Sequence, residues 1–577
     1  MASLTNREIA DVFYAIADTL EILGEDRYRI QAYRRGGDAV VDLPSPLAAY
    51  RNRGELEAIA GIGKAIADKI GELLDTGELQ FYLKLKARVP PGVRELLRVP
   101  HLGAKKAGRL YSELGIASLA DLKAAAESGR LNTIKGFSAK TTAGILEGIA
   151  QVEQRDLRTL LFNALHTAES LIDALRQVRP DLQIAYAGSL RRGRATIGDL
   201  DLLAAGPDPA AIIRAFTTLP VVARVDAAGD QKATILLQNG QQTDLIAVEP
   251  ANWGSALLHF SGSRAHNIRF RELALARGLS FSEHGFRRDD GSMLRCATEE
   301  DAYAVLDLPW IPPELREDNG EFEAARAGRL PQLVTQQALG ADLHMHSNWS
   351  DGRASIRDMA SRARQLGYHT IAMTDHSAYV PITNGLDAQR LRAQAAEIAA
   401  LNAEYAAAGD RFRILHGIEV DILPDGELAL PDEILAALDI VVASPHASLR
   451  QPAEQATERL LRAIRNPHVD IIGHPTGRLI GQREGLPIDI DAIATAAAET
   501  DTLLEVNSGP DRLDLDSSLA RRALELGARL SINSDAHHPD NLAWIRLGVI
   551  TARRGWADAA LVANTWDADQ LRGWLQR

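Results

Sequence analysis

The spacing of apolar residues changes along the chain and divides it. Ile9, Val12, Phe13, Ile16, Ala17, Leu20 and Leu23 recur every three or four positions, which predicts an amphipathic helix with one packed face. Helices with short turns continue beyond it, and three of those turns share a pattern. Ile59-Ala-Gly61-Ile-Gly63-Lys64, Val99-Pro-His-Leu-Gly103-Ala-Lys105-Lys106 and Ile134-Lys-Gly136-Phe-Ser-Ala-Lys-Thr each place glycine ahead of a new helix. Such a turn exposes backbone N–H groups at a helix N-terminus, a seat for a DNA phosphate that reads no base. Three copies with following lysines predict helix-hairpin-helix modules. After residue 155 the pattern mixes: a helix over 163–178, then short apolar strands at 184–187, 233–237 and Gln242–Val248. Residues 321–337 are charged and free of β-branched runs until their end, which predicts a helical linker. From Ala341 onward strand-then-helix units repeat, and each strand ends in His, Asp or Glu.

These breaks predict several domains, each able to bury its own core. They are a helical domain over 1–90 and a second over 91–154, a mixed domain over 155–250, a region over 251–318 closed by Trp310-Ile-Pro-Pro, a linker over 319–337, and a strand-helix barrel over 338–577. The fold class expected is therefore multidomain, α+β followed by α/β. Composition fits a soluble globular chain, 46% hydrophobic and 5% aromatic, with no apolar run near the ~20 residues of a membrane span. The first residues lack the basic-then-apolar order of a signal peptide. A single cysteine, Cys296, excludes an internal disulfide framework and suits a reducing cytoplasm. Net charge is −13, yet no lysine follows Lys232, so a more basic N-terminal part precedes an acid-rich C-terminal one. Distribution outweighs the sum, and the acidity argues little against nucleic acid. Arg27, Arg29, Arg34 and Arg35 surround Tyr28 and Tyr33, a grouping that suits either a 5′ phosphate with stacked bases or a solvated helix face.

The most informative stretch is Gly188-Ser-Leu-Arg-Arg-Gly-Arg-Ala-Thr-Ile-Gly-Asp-Leu-Asp201. Gly188 and Gly193 permit tight turns with uncovered N–H groups, Ser189 adds a hydroxyl donor, and Arg191 and Arg192 add charge-assisted forks. Asp199 and Asp201 are spaced i, i+2, so on an extended strand both carboxylates face one way. Two such acids repel unless a cation lies between them, and oxygen ligands suit Mg²⁺. Asp244 in Gln242-Thr-Asp-Leu-Ile-Ala-Val248 is the best third acid. A Gly-rich turn followed by solvated acids is the bland alternative.

Fifteen histidines, many crowded after residue 340, are the compositional anomaly. Asp342-Leu-His344-Met-His346 is followed by Asp351, Asp375-His376, Glu419-Val-Asp421, His446, His474 and Asp535-Ala-His537. A β/α barrel gathers its strand C-termini at one mouth, so these residues converge without being close in sequence. His, Asp and Glu with no cysteine suit Mn²⁺, Zn²⁺ or Fe²⁺.

The 188–201 motif resembles the nucleotidyltransferase palm of X-family DNA polymerases, relatives of DNA polymerase beta, and the resemblance covers nearly the whole chain. It implies helical helix-hairpin-helix domains over 1–90 (lyase-like) and 91–154 (fingers), a palm with a mixed sheet over 155–250, and a thumb over 251–318. Asp199, Asp201 and Asp244 are then the triad for two Mg²⁺ or Mn²⁺ ions. Gly188, Ser189, Arg192 and Gly198 match the triphosphate cradle, while Phe260, Gly262 and Asn267 match positions lining the nucleotide pocket. His259 sits where relatives have a tyrosine beside the sugar, Gln242 replaces an arginine near the third acid, and Arg271 matches a basic residue facing the template. Gly61, Gly63, Lys64, Gly103, Lys105 and Lys106 match DNA-backbone contacts. Lys69 falls at the Schiff-base position that removes a 5′-deoxyribose phosphate in some relatives, with Arg29 replacing a phosphate-holding lysine.

The C-terminal pattern resembles the PHP (polymerase and histidinol phosphatase) domain, a distorted barrel with a trinuclear site that hydrolyses phosphoesters. His344, His346, Asp351, His376, Glu419, His446, His474, Asp535 and His537 match its nine ligand positions, implying up to three Mn²⁺, Zn²⁺ or Fe²⁺ ions. Asp351 stands where some members have histidine. Together the resemblances imply a bacterial-type X-family DNA polymerase, working as a cytoplasmic monomer on gapped or nicked DNA with deoxynucleoside triphosphates. Its barrel would act as a 3′-5′ exonuclease or phosphoesterase. Two rivals remain at this point: a 3′-end phosphoesterase whose palm only binds DNA, and a barrel that is a metal-bound scaffold.

Overall fold

The computed structural model describes residues 6–41, 43, 47–59, 61–100, 102–134, 136–156, 158–380 and 383–576. Residues 1–5, and Ala60, His101 and Lys135 of the three glycine turns, lie outside the described residues. The chain divides into two compact units, 1–157 with 378–385, and 158–377 with 386–577.

The described part of the first unit is helical. The periodic residues Ile9, Phe13, Ile16, Ala17 and Leu20 of helix Asn6–Ile22 are all buried, packed with Ile30, Ile66 and Ile70. A second core gathers Val93, Leu96, Leu110, Leu122 and Ile149. All three glycine turns repeat one geometry. A 3-10 turn (Leu56–Ala58, Leu96–Arg98, Arg130–Thr133) leads into a reversal and then a helix (Lys64–Thr76, Ala104–Leu114, Ala139–Asp156). At each reversal an apolar residue donates its N–H to the carbonyl three residues back: Ile62 to Ile59, Leu102 to Val99, Phe137 to Ile134. Those three side chains are buried and pin the turn from below. Gly63 and Gly103 cap their helices without any side-chain hydrogen bond, which leaves the first amides open.

The second unit holds three layered parts. Its first sheet runs in the order Gln183–Tyr186, Leu200–Ala205, Gln242–Val248, Lys232–Leu237, Val222–Ala228, mixed in direction. Strands Leu200–Ala205 and Gln242–Val248 are the parallel pair, in register Asp201 to Asp244. Period-two alternation gives them two buried faces. Leu200, Leu202 and Ala204 pack with Leu165, Ile172 and Phe216 of the covering helices, while Leu203, Ala205, Ile246 and Val248 pack under helix Trp253–Ser261 with Trp253, Ala256 and Leu257. Asp201 and Asp244 belong to this second face and sit at its end.

Next comes a small antiparallel sheet (Ser280–Ser282, Gly285–Arg287, Met293–Leu294) around Phe270, Phe281, Phe286 and Tyr303. Beside it an ion cluster ties distant segments. Arg191 clasps Glu299 with two bonds of 2.7 and 2.8 Å, Arg316 adds one of 2.6 Å, and the Trp310 indole N–H donates at 3.0 Å. Burial opposes the charge on Glu299, but Arg316 and Arg191 outweigh it and hold the carboxyl well below its ordinary value. Arg316 is fully buried, so Glu299→Ala strands a cation and is expected to cost roughly 3–5 kcal/mol, read as a lower midpoint of chemical unfolding. Because the folded value is depressed, this stabilisation is complete above the ordinary carboxylate range and fades as pH falls through the folded value.

The expected helical linker forms only one short helix, Glu321–Arg326, whose Phe322 and Ala325 join the core around Phe270. Gly328 then turns at a φ of +64°, and Pro331 has no N–H with which to resume a helix. The chain then runs extended, with Val334 N–H bonded to the Ala557 carbonyl at 3.0 Å, until a 3-10 turn at Gln336–Ala338.

Seven parallel strands follow in strict chain order: Ala341–Asp342, Thr370–Met373, Arg413–Asp421, Ile440–Ser444, Ile471–Ile472, Leu503–Asn507 and Leu530–Asn533. Helices alternate with them, and the ends of the first and last strands meet. His346 N–H bonds the Ala536 carbonyl at 2.9 Å and Asp535 N–H bonds the His344 carbonyl at 3.0 Å, nearly closing a barrel. Leu343, Ala372, Leu415, Val442, Ile471 and Leu503 fill its interior, plugged from below by Leu571 and Trp574. Two barrel residues, Leu513 and Leu547, are buried within the core of the first sheet, so the two parts share one apolar cluster.

Candidate active sites

In the first sheet, Asp244 is buried beside half-buried Asp201, and Asp199 lies exposed in the bend that precedes the strand. The expected strand thus begins one residue later than the acid pair, because pairing with Gln242–Val248 starts at Leu200. All three acids still act on one another: burial, then Asp199 and Asp244, push the Asp201 carboxyl up to about 7. Lys232 meets Asp244 at 2.6 Å, while the other Asp244 oxygen is buried with no hydrogen-bond partner among the described residues. Three crowded carboxylates, with an orphaned oxygen and with Lys232 and the charge of Arg192 to offset them, fit divalent cations bound through oxygen.

Over these acids runs the Gly188 turn. Gly188 has a φ of +57°, and a Cβ there would lie 1.9 Å from an Asp201 carboxylate oxygen, so only glycine lets the turn approach. Gly188→Ala is accordingly expected to lower, by about a hundredfold, the nucleotide incorporation that the resemblance implies, read on a gapped duplex, since a misplacement of about 1 Å can cost that much.

Ser189 is half-buried on the turn and the Gly198 carbonyl accepts from Gln241 at 2.7 Å. Arg191, expected to offer phosphate a fork, is committed to Glu299 instead and serves as a clasp. Arg192 donates from Nη1 to the Ser261 carbonyl at 2.8 Å and from Nε to Glu317 at 3.1 Å, and its charge reaches Asp201. Nearby, Asn267 donates to the His259 carbonyl at 2.7 Å, and its Oδ1 is buried with no partner among the described residues. The His259 ring lies edge-on to Phe260 at 4.9 Å, and burial pushes its imidazole down, with Arg271 adding to the effect. Gly262, whose N–H bonds Leu258, ends that helix.

At the barrel mouth all nine expected ligands converge. Glu419 is the hub: its oxygens lie 3.5 Å from His344, 3.6 Å from His346, 2.8 Å from His376, 3.2 Å from His446 and 3.0 Å from His474. Asp535 meets His346 at 3.0 Å, and Asp351 meets His537 at 3.3 Å and His376 at 3.6 Å. Three overlapping sets bring their ligand atoms within 4.8 Å: His346, Asp351, His376 and His537; His344, His346 and Asp535; His376, Glu419 and His446. The 2.8 Å approach of His376 Nδ1 to Glu419 Oε2 lacks hydrogen-bond alignment, and both atoms are buried. Two buried acceptors this close with no hydrogen bond between them fit ligands of a cation.

Protonation alone settles this cluster badly. Burial and the neighbouring His537 and His376 push His346 down to about 3. Against burial, Glu419 and Asp421 push His446 up to about 10. Divalent cations fit these residues in place of protons.

Several contributors carry little local signal. Glu505, an acid inside the apolar strand Leu503–Asn507, lies 2.8 Å from His344 Nδ1 and accepts the His474 N–H at 2.7 Å. A carboxylate can only accept here, so the His344 proton sits on Nδ1 and Nε2 faces the cluster. Asp421 does the same for His446 at 2.9 Å. Lys232 and Glu317 are likewise visible only once the fold brings them in.

In the first unit, Lys69 donates to the Ala65 carbonyl at 3.2 Å and lies 5.5 Å over the Phe81 ring, where Arg29 also lies at 5.1 Å. Lys64 and Lys105 are exposed beside their turns, and Lys106 is half-buried.

Comparison with known proteins places these parts. Residues 4–79 match a helix-hairpin-helix domain, 93–151 a SAM-like helix-hairpin-helix tandem, 256–317 the DNA polymerase beta thumb, and 342–509 the PHP domain. The DNA polymerase/3′-5′ exonuclease PolX of Bacillus subtilis (strain 168) is 38% identical over 574 residues, 99% of each chain. DNA polymerase lambda of Rattus norvegicus is 25% identical over 342 residues, 54% of this chain and 56% of its own. A probable phosphatase of Thermoanaerobacter sp. (strain X514) is 31% identical over 251 residues, 41% of this chain and 95% of its own. With that identity over essentially its whole length, and with helix-hairpin-helix, thumb and PHP parts in order, the chain belongs to the PolX family, the X-family DNA polymerases that carry a PHP domain.

Proposed function

We propose that the chain is a DNA-dependent DNA polymerase that fills short gaps during repair such as base excision repair, and that its barrel trims DNA 3′ ends as a 3′-5′ exonuclease or phosphoesterase. The observation that carries the reading is the pairing of Asp201 with Asp244 on neighbouring parallel strands under the Gly188 turn. Asp199, Asp201 and Asp244 hold two Mg²⁺ or Mn²⁺ ions, which neutralise charge at the phosphoryl oxygens. Gly188, Ser189, Arg192 and Gly198 take the triphosphate, and His259, Phe260, Gly262 and Asn267 take the nucleoside, with the unpartnered Asn267 Oδ1 as acceptor. Gly61, Gly63, Lys64, Gly103, Lys105 and Lys106 grip the DNA backbone and Arg271 the template. In the barrel the nine converging residues hold up to three Mn²⁺, Zn²⁺ or Fe²⁺ ions. The chain acts as a cytoplasmic monomer; among the described residues no helix is long and apolar enough to cross a membrane.

A duplex with a one-nucleotide gap, assayed with Mg²⁺ and Mn²⁺ in turn, tests this. Templated incorporation of one labelled deoxynucleotide is expected. Trimming without incorporation would leave a 3′-end phosphoesterase whose palm only binds DNA.

A second reading rests on Lys69 and Arg29 sharing the Phe81 ring. The shared ring sets the Lys69 amine beside a guanidinium that can hold a phosphate, an arrangement that suits a Schiff-base nucleophile removing 5′-deoxyribose phosphate. Borohydride trapping to a 5′-incised abasic substrate should be lost in Lys69→Ala; undiminished trapping would sink the assignment.

A further inference from the structure

The turn that cradles the triphosphate in this reading does not stand alone. Its far side rests on the barrel helix Ile545–Arg554. Gly193, at a φ of +66°, packs so closely that a Cβ would lie 2.2 Å from Ile550 Cγ2. One position earlier, the Arg192 carbonyl accepts a bond from Arg554 Nη1. The Arg192 guanidinium is held through a third residue: Glu317 accepts from Arg192 Nε at 3.1 Å and from both Arg554 Nη1 and Nη2 at 3.1 Å. All three side chains are largely buried, and Arg194 adds a more distant cation at 3.8 Å. Arg554 therefore grips Arg192 at both ends, backbone directly and side chain through Glu317.

Arg192 spends Nε–H on Glu317 and one Nη1–H on the Ser261 carbonyl. Its two Nη2 protons and the second Nη1 proton have no partner among the described residues, and a planar guanidinium fixed on one side presents the other to phosphate oxygens. Without Arg554, Glu317 would keep only Arg192 and the more distant Arg194 as counter-charges, and would compete with the triphosphate for Arg192.

We propose that Arg554 of the barrel is a positioning residue for nucleotide binding in the palm, acting through Glu317 on Arg192 and on the turn backbone. This rests on the polymerase reading of the palm. It makes the PHP domain a structural part of the nucleotide site as well as the seat of a second activity.

The test uses the full chain as wild type, Arg554→Ala, Arg554→Lys, Glu317→Gln and the Arg554→Ala plus Glu317→Gln pair. Steady-state gap filling gives KM and kcat for the templated deoxynucleotide; fluorescence titration with that deoxynucleotide and Mg²⁺ gives its affinity; melting and barrel trimming serve as controls. Arg554→Ala should raise KM about tenfold, equivalent to about 1.4 kcal/mol, with kcat far less affected and trimming intact. Arg554→Lys should recover part of the loss. Adding Glu317→Gln to Arg554→Ala should recover most of it, because the carboxylate competing for Arg192 is gone, a non-additivity that general loosening does not produce. An unchanged KM, additive effects in the pair, or trimming that falls in step with the KM shift would each overturn the proposal. A wild type that binds deoxynucleotide but never incorporates it would sink the polymerase reading alone, and the variants would then be compared by titration.

Discussion

Asp199→Ala combined with Asp201→Ala is expected to abolish gap filling, by at least about a thousandfold, while leaving metal-dependent 3′ trimming at its wild-type rate. The remaining acid, Asp244, is already paired with Lys232 at 2.6 Å, so the double variant keeps no net negative charge with which to hold a cation. A thousandfold corresponds to about 4 kcal/mol, within the charge stabilisation metal ions supply to phosphoryl transfer. Neither residue belongs to the nine that converge at the barrel mouth, so nothing in that cluster is disturbed. The same variant carries a second signature, in stability. Burial, Asp199 and Asp244 raise the Asp201 carboxyl from 3.8 to about 7, so between those values the metal-free folded chain holds a proton that the unfolded chain has released. Stability then declines as pH rises through that window, the reverse of the usual carboxylate behaviour. Melting in chelator should show the wild type losing more than the double variant between pH 5 and pH 7. Persistent synthesis, or a trimming rate that fell in parallel, would remove the palm assignment.

Much of this was readable from local pattern. Ile62, Leu102 and Phe137 occupy equivalent turns because three short motifs repeat, and the Asp201–Asp244 register follows from two strands whose alternation buries both faces. The convergence of the nine barrel residues was legible because parallel β/α units force strand ends to one mouth. Charge pairing was not. Arg191 meets Glu299 108 residues away, and Arg554 meets the Arg192 carbonyl across 362 residues. No spacing rule reaches that far, and an arginine in a phosphate motif looks the same whether it faces ligand or clasps a distant acid. Glu505 was missed for a related reason. It sits within a buried strand rather than at its end, and only the ring of neighbouring strands brings it under His344. The 321–337 stretch has helical composition, but Gly328 and Pro331 end the helix after one turn and a half.

His344→Ala combined with His346→Ala should have the converse effect: 3′ trimming lost by at least about a thousandfold, with gap filling retained. His346 belongs to two of the three overlapping ligand sets and His344 to one of these, so the pair removes ligands from two metal positions at once. Metal content by mass spectrometry should therefore fall by at least one ion per chain. Both rings are fully buried, and truncating them opens space in the barrel mouth, which by itself would lower stability. Glu505→Gln separates the causes. It keeps the volume and a hydrogen bond to His344 Nδ1 but removes the charge that keeps the ring basic at Nε2, and outer partners of this kind are typically worth about 10–100-fold in metal affinity. Trimming by Glu505→Gln should thus be weak at low Mn²⁺ and return as Mn²⁺ is raised, whereas the double histidine variant should not recover at any concentration. Full trimming by either variant at limiting Mn²⁺ would move the hydrolytic centre away from the barrel mouth. Simultaneous loss of gap filling in Glu505→Gln would mean that one site serves both reactions.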